Sequence, residues 1–479
     1  MKKYFISLLV LFISSFWSLS SFATDLLQVY RDAQQNDPTF KSAEAQWLAT
    51  QQLIPINRAA LLPSFVASGF DNAAHTRQSF ADTSNSFNQS EYAYALTLNQ
   101  TIFNWQYWKL LSTAKSQVKQ AQANFYSASQ DLMLRVSSAY FAVLQAYETL
   151  QVTQATKRSL AEQFHQTHEQ FKVGLIANTG VEQVQASYDN VVAQEIANKN
   201  NVSNKLEELR AITGIFYTQL DGLRTTMPLV SPKPENINAW VGIAASQNYA
   251  IKAAYYAMMA ARENIKVQRA GHLPVVTGTA QYSWDHINNV NIIGNVLTPV
   301  TTETSQVGVN VNFPVYQGGL ILAQTRQASY QYAEASAQME IAYRSTLTQA
   351  RESYLGVMSG ISKIKADRQA IQSNLSSLSA TKAAYTVGTN TIVDVLQQQQ
   401  FLYDTQTTYA TDQFNYIINT LTLKQAAGTL SDRDIVAINS WLGRKIDFSA
   451  FDFNSGIINF NPDSETIDNN NNNYEPLKN

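Results

Sequence analysis

The chain reads as a mixed β and α membrane protein. A duplicated unit of helix, strand, strand, long helix and helix gives four strands and two long coiled-coil helical hairpins per copy. The first observation is residues 305–322, SQVGVNVNFPVYQGGLIL, where Val307, Val309, Val311, Phe313 and Val315 alternate with Gln306, Gly308, Asn310 and Asn312. Period two over about ten residues describes a tilted strand with one apolar and one polar face, long enough to span a membrane. Past Pro314 and Gln317-Gly318-Gly319 the pattern becomes helical for roughly seventy residues, against a mean helix of about 11 to 12. The second is an internal repeat at an offset of about 211 to 214 residues. Leu62-Pro63 returns as Leu273-Pro274, Thr101-Ile102-Phe103 as Pro314-Val315-Tyr316, and Phe171-Lys172-Val173-Gly174 as Tyr385-Thr386-Val387-Gly388. The third is the lack, beyond the first 23 residues, of any charge-free apolar segment near the ~20 residues a spanning helix needs, so a membrane span here must be β.

Residues 1–23 read as a secretory signal: Lys2 and Lys3, an apolar run from Tyr4 to Trp17, then Ser21-Phe22-Ala23 before cleavage. The first repeat is placed at 24–214. Its opening helix covers 26–60 and breaks near Asp37-Pro38, because the residue before proline avoids the α region. Strands are expected at about 63–71 and 91–103, joined by a polar surface loop, 72–90. In the second, Tyr92, Tyr94, Leu96 and Leu98 alternate with Ala93, Ala95, Thr97 and Asn99.

A helical hairpin follows at about 104–213. Its first arm, 104–172, is roughly 100 Å long at 1.5 Å per residue. Leu111, Ala114, Val118, Ala121, Phe125, Ala128 and Leu132, then Val136, Ala139, Val143, Ala146 and Leu150, step by threes and fours as a coiled-coil seam, with a stutter at 132–136. Gly174 stops the arm and Asn178-Thr179-Gly180 turns the chain.

After a linker at 215–234, the second repeat, 235–442, follows the same order: one helix at 237–270, strands at about 274–284 and 305–315 around a loop at 285–303, and a hairpin at about 318–427 turned by Gly388-Thr389-Asn390. Residues 443–479, which include Asp468 followed by a run of asparagines, read as a largely disordered tail.

Composition narrows function. With 34 basic against 36 acidic side chains there is no charge excess to hold nucleic acid. Zero cysteines rule out disulfides, thiol catalysis and Cys-based metal sites. Only 18 glycines and 11 prolines in 479 residues, gathered at a few junctions, imply long uninterrupted helices. His165 and His168 beside Glu162 and Glu169 have zinc-like residue types, but on a long helix a polar face is the favoured reading. There is no nucleotide loop, triad or cofactor motif, so neither an enzyme nor a cofactor is expected. Aromatics at strand ends, Trp105 and Trp108 at one level and Phe70, Tyr92 and Trp284 nearer the loops, fit interfacial girdles in contact with membrane lipid.

Four strands cannot close a barrel, and an open edge in lipid leaves backbone groups unpaired at several kcal/mol each. Other copies of the chain must complete the wall: two would give eight strands, three would give twelve and room for a polar lumen.

Gly271-His272-Leu273-Pro274, Phe313-Pro314-Val315-Tyr316-Gln317-Gly318-Gly319, YTVGTNTIVDV from Tyr385 to Val395, Phe171-Lys172-Val173-Gly174-Leu175 and Ile212-Thr213-Gly214 together resemble the TolC family of outer-membrane efflux and type I secretion channels. The resemblance implies a homotrimer: a twelve-stranded β-barrel continued by a twelve-helix α-barrel across the periplasm. Its tip would be opened by a periplasmic adaptor and an inner-membrane efflux pump or ABC transporter. It implies adaptor contacts at Gly174, Leu175, Gly388 and Thr389, a carboxylate ring at Asp394, and inter-hairpin links at Tyr385 and Thr179. The chain departs from the pattern at three positions. Gln397 stands where the family has a second acidic ring, Asn390 where it has a linking arginine, and Gly180 where it has that arginine's acidic partner. Glu182 is a substitute acceptor or a solvated first-turn acid. A free-standing porin and a coiled-coil envelope protein with a β anchor are the competing readings.

Overall fold

A computed structural model describes residues 24–80, 83–224, 227–291 and 297–451. Residues 1–23, where a signal is expected, and residues 452–479 lie outside the described residues. Three short helices open the fold, α1 (Leu26–Asn36), α2 (Pro38–Gln51) and α3 (Leu53–Ala59). Asp25 caps α1 by accepting from the Gln28 N–H at 2.8 Å, and Asp37, preceding Pro38 at the first helical position, caps α2 through the Thr39 N–H at 3.0 Å. The break at Asp37 is where the sequence places it.

Four strands form one antiparallel sheet in the order β1 (Ser64–Phe80), β2 (Thr83–Phe103), β4 (Val275–Asn291), β5 (Leu297–Asn312). β1 and β5 are its two edges, and Pro299 is tolerated in β5 because an edge strand need not donate on both sides. The strands run further than expected. The presumed loop 72–90 is the outer half of a paired hairpin, continuing through Asn72↔Glu91 to Phe80↔Thr83. Much of the presumed loop 285–303 is also paired, as in Asp285↔Thr302 and His286↔Thr301. Backbone pairing carries these polar extensions, which have no apolar alternation to betray them. β5 ends at Asn312 rather than at 315, just short of Pro314, which has no N–H for the ladder.

Two helical hairpins hang from the sheet. The first joins α4 (Trp105–Lys172, 68 residues) to α5 (Asn178–Thr213), the second α8 (Leu320–Thr386, 67 residues) to α9 (Ile392–Ala426). Asn104 caps α4, accepting from the Tyr107 N–H at 3.3 Å. Leu111, Ala114, Leu132, Val136, Ala139, Val143, Ala146 and Leu150 of the expected seam are buried; Val118, Ala121, Phe125 and Ala128 are half-buried. The region expected as one helix at 237–270 is two, α6 (Ile237–Gln247) and α7 (Tyr249–Arg269). Asn248 separates them: its side chain caps α7 through the Ala250 N–H at 2.8 Å and donates to the Ala426 carbonyl at 2.9 Å.

A collar at mid-length is the part the sequence reading missed. β3 (Gln219–Leu223) pairs antiparallel with β6 (Leu442–Asp447), and α10 (Asp432–Asn439) leads into β6. The tail expected to begin at 443 is therefore folded through 451, ending in a 3-10 turn, Ser449–Phe451. The reason is burial: Leu442, Ile446 and Phe448 enter the main core with Leu26, Tyr140, Leu209 and Tyr416. Tyr140 Oη donates to the Asp221 carbonyl at 2.6 Å, tying α4 to β3.

Candidate functional site: the helical tips and the membrane belt

Each hairpin turns on one glycine with positive φ, Gly174 at 77° and Gly388 at 80°. Left-handed backbone closes the helix end, with the Leu175 N–H donating to the Gln170 carbonyl at 2.9 Å and the Thr389 N–H to the Ala384 carbonyl at 3.0 Å. No heavy atom lies within 4 Å of where a Cβ would sit on either glycine, so conformation, not crowding, requires glycine there. The turns project Val173, Leu175 and Val387 into solvent, 70 to 74 % exposed. Three apolar side chains this bare at the two turns belong to the surface and not to the core.

Tyr385 ties the two hairpins together within one chain: its Oη donates to Gln170 Oε1 of α4 at 3.0 Å. Thr179 is exposed and is not brought to Tyr385. Gly180 is half-buried, and a Cβ there would lie 3.6 Å from Ile392 Cγ2, an apolar contact between hairpins where an ion pair is absent. The Asn390 N–H donates to the Ala384 carbonyl at 3.4 Å, finishing the turn. Glu182 accepts from Asn178 Nδ2 at 3.3 Å in the first turn of α5. Gln170 is the tip residue that sequence reasoning missed; a glutamine in a polar helical run carries no distinguishing signal.

Asp394 closes a capping box at the start of α9. Its Oδ2 accepts from the Thr391 N–H and Oγ1, both at 2.8 Å, while the Asp394 N–H donates to Thr391 Oγ1 at 3.3 Å. The backbone donor first, then the hydroxyl, holds this carboxyl below its ordinary range, so it stays ionised. Gln397 lies one turn on and is exposed. Of the zinc-like group, His168 stacks on Phe164 with ring centres 6.0 Å apart, and Glu169 pairs with Lys172 at 2.9 Å.

Strand register sorts the sheet into two faces, since directly paired residues share a side. Phe65, Leu98, Ala280 and Val307 form one row, and Tyr94 with Trp284 and Tyr92 with His286 lie on the same face further out. The other face carries Asn99, Thr97, Thr279, Gln281, Gly308 and Gln306, with Gln306 Nε2 donating to Gln281 Oε1 at 3.3 Å. Val307 on the apolar face is 87 % exposed in the single chain. Among the described residues no helix is long and apolar enough to cross a membrane.

The outer aromatic row is a packed cluster: Tyr94 stacks on Trp284 at 5.1 Å and Tyr92 lies 4.9 Å from His286. Phe70, expected in this row, pairs with Ala93 and belongs to the polar face instead. A one-residue difference in parity flips the side, and β1 carries aromatics at both parities, Phe65 and Phe70. Trp105 and Trp108 open α4 at the other level, both exposed, with Lys109 Nζ 4.8 Å above the Trp105 ring. From Tyr92 to Phe103 the strand advances roughly 36 Å, or about 27 Å across a bilayer at a 40° tilt, close to the hydrocarbon thickness.

The family model described as outer membrane efflux protein matches residues 29–215 and again 240–429, once for each unit of the duplication. The chain belongs to that family. Over 454 residues it is 35% identical to the outer membrane protein TolC of Salmonella enteritidis, covering 94% of this chain and 91% of that one. The alkaline protease secretion protein AprF of Pseudomonas aeruginosa is 27% identical over 87% of this chain and 86% of its own length. The CmeC outer membrane channel of Campylobacter jejuni superposes with a TM-score of 0.72 at 16% identity, covering 87% of this chain and 89% of that one, and so shares its fold. Membership of this family makes the chain an outer-membrane exit duct, a passive channel rather than an enzyme, that extends into the periplasm.

Proposed function

We propose that three copies of the chain join edge to edge, β5 of one against β1 of the next, into a single duct. A periplasmic adaptor and an inner-membrane transporter would open it at the tips. The observation that carries this is a four-stranded sheet with one apolar face and two open edges, continuous with hairpins roughly 100 Å long. Unpaired edges in lipid cost several kcal/mol per backbone group, which pairing between copies removes. Likeness to a TolC and to a protease secretion protein favours a duct serving both small-molecule efflux and type I protein secretion. In this reading Asp394 of each copy forms the constriction with Gln397, Tyr385 holds the hairpins, and Gly174, Leu175, Gly388 and Thr389 meet the adaptor. Thr179, Gly180 and Asn390 then line a junction between neighbouring hairpins without an ion pair. Trp105, Trp108, Tyr92 and Trp284 supply the girdles, and Phe70 faces the lumen.

The decisive experiment couples two readouts on the purified full-length protein. A heat-labile trimer in detergent and a cation-preferring conductance in planar bilayers are expected. A folded single copy with no conductance overturns the reading. A deletion strain should become sensitive to dyes and bile salts in a manner restored only when an adaptor is also present, which separates the duct from a free-standing porin.

A further inference from the structure

Along the second hairpin α8 and α9 run antiparallel, joined by side-chain rungs. Arg368 Nη2 donates to Tyr409 Oη at 3.4 Å, Asn374 Nδ2 to Thr405 Oγ1 at 2.8 Å, and Ser377 Oγ to Gln398 Oε1 at 2.9 Å. Each rung matches a donor with an acceptor. Two helical turns from Asn374 and Thr405, on the same edge of the helix pair, Asp367 meets Asp412 within hydrogen-bonding reach. This rung has acceptors on both sides and no donor. Asp367 Oδ2 is shut off from solvent and has no hydrogen-bond partner.

A carboxylate oxygen withdrawn from water beside a second carboxylate is disfavoured twice, by desolvation and by like charge. One proton held between the two groups removes both penalties and supplies the missing donor. Burial first, then the Asp412 charge, pushes the Asp367 carboxyl above its ordinary range, and Lys363 one turn away opposes them. Other groups at this level are Arg368 of α8, engaged with Tyr409, Gln413 of α9, whose Nε2 also donates to Tyr409 Oη at 3.0 Å, and Gln145 of α4, whose Nε2 donates to Thr411 Oγ1 at 3.0 Å. None of them donates to Asp367 Oδ2.

We propose that Asp367 and Asp412 share one proton in the packed second hairpin and form a proton-linked latch between α8 and α9. With the proton in place the rung is a carboxylic acid to carboxylate hydrogen bond. Without it two half-buried anions, one of them with Oδ2 shut off from water, push the helices apart and the hairpin loosens toward its tip. Because folding raises the proton affinity of the Asp367 carboxyl, the stabilisation is present at low pH and is lost as pH rises through the raised folded value. The latch goes beyond the duct reading and depends on neither the trimer nor the adaptor.

The test is amide hydrogen exchange of the purified full-length protein as a function of pH, corrected for the intrinsic pH dependence of exchange. It compares residues 360–375 and 402–415 with the first hairpin. In the wild type, protection in the second hairpin should fall with rising pH over a single-proton transition. The fall should be on the order of tenfold for each unit by which the pair's proton affinity exceeds that of a free aspartate. The first hairpin should stay flat. Asp412→Asn, whose amide supplies the donor without a proton, should make the second hairpin flat as well, and Asp367→Asn should do the same. A flat wild-type profile, or a wild-type profile retained in either asparagine variant, overturns the proposal. If one variant fails to fold, the other and the wild-type curve still decide it.

Discussion

Tyr385→Phe is the sharpest probe of tip closure, because it deletes one atom and the one bond that atom makes. The phenol donates to Gln170 Oε1 at 3.0 Å across the two hairpins of the same chain, at a half-buried position. A neutral hydrogen bond of this kind contributes about 0.5 to 1.5 kcal/mol net. If three copies open together, the losses add to about 1.5 to 4.5 kcal/mol, which raises the open-to-closed ratio about tenfold to about a thousandfold. The assay is the fraction of long-lived open events in planar bilayers, together with entry into cells of a dye too large for the closed tip. Gln170→Ala removes the same bond from the other side, so the double variant should open no more readily than either single one. Simple additivity, or an unchanged tip in Gln170→Ala, would refute the assignment of Gln170 as the partner.

Three further outcomes are expected. Asp394→Ala should weaken cation preference and block by multivalent cations. In the wild type, where the carboxyl sits below its ordinary range, preference should hold from neutral pH downward and fade only as pH drops through that depressed value; conductance ratios in a salt gradient read this directly. Phe448→Ala, at a fully buried ring packed edge-on to Tyr147 at 5.3 Å, should cost about 3 to 5 kcal/mol in the collar. It should appear as faster proteolysis after residue 440 with conductance intact in the surviving protein. Gly428→Ala should abolish accumulation of folded protein. The residue has φ 69°, and a Cβ would sit 2.5 Å from the Gln247 carbonyl oxygen, so strain and a backbone clash combine; yield in the outer-membrane fraction measures it.

What the sequence made legible is what periodicity encodes. The long arms, their turns at Gly174 and Gly388, and buried seam residues such as Leu132, Val136 and Val143 follow from a repeat of threes and fours. The inner strands follow from a repeat of two. Features carried by backbone pairing or by long-range burial were not legible. The outer strand halves beyond Asn72 and Asp285 are mostly polar with no sustained alternation, and the main-chain ladder pairs them, helped by side-chain bonds such as His75 to Asn88 and His286 to Thr301, both at 2.7 Å. In β6 only Leu442 and Ile446 are buried, four residues apart, which matches no strand template. Asn248 interrupts an otherwise good helical pattern by capping, and nothing in its neighbours announces that. Among the tip positions, Tyr385 is singled out only through the family resemblance, and its bond to Gln170 is visible only where α8 meets α4.

Asp394 shows why two readings of one residue need not compete. An acid in the first turn of a helix is commonly a cap, and here it is one, with both accepted bonds falling on Oδ2. A constriction ring makes the opposite demand: like charges brought together near an axis raise each other's proton affinity and tend to discharge the ring. The cap answers that demand. In the proposed ring, two donors from Thr391 would favour the ionised form in each copy before any neighbour arrives, so the like-charge rise would start from a depressed value and leave the ring charged. On this argument Thr391 matters to selectivity without touching the permeating ion. Loss of its hydroxyl in Thr391→Val should leave the turn helical but move the pH at which cation preference fades upward, whereas a cap with no part in the constriction would leave that pH where it was.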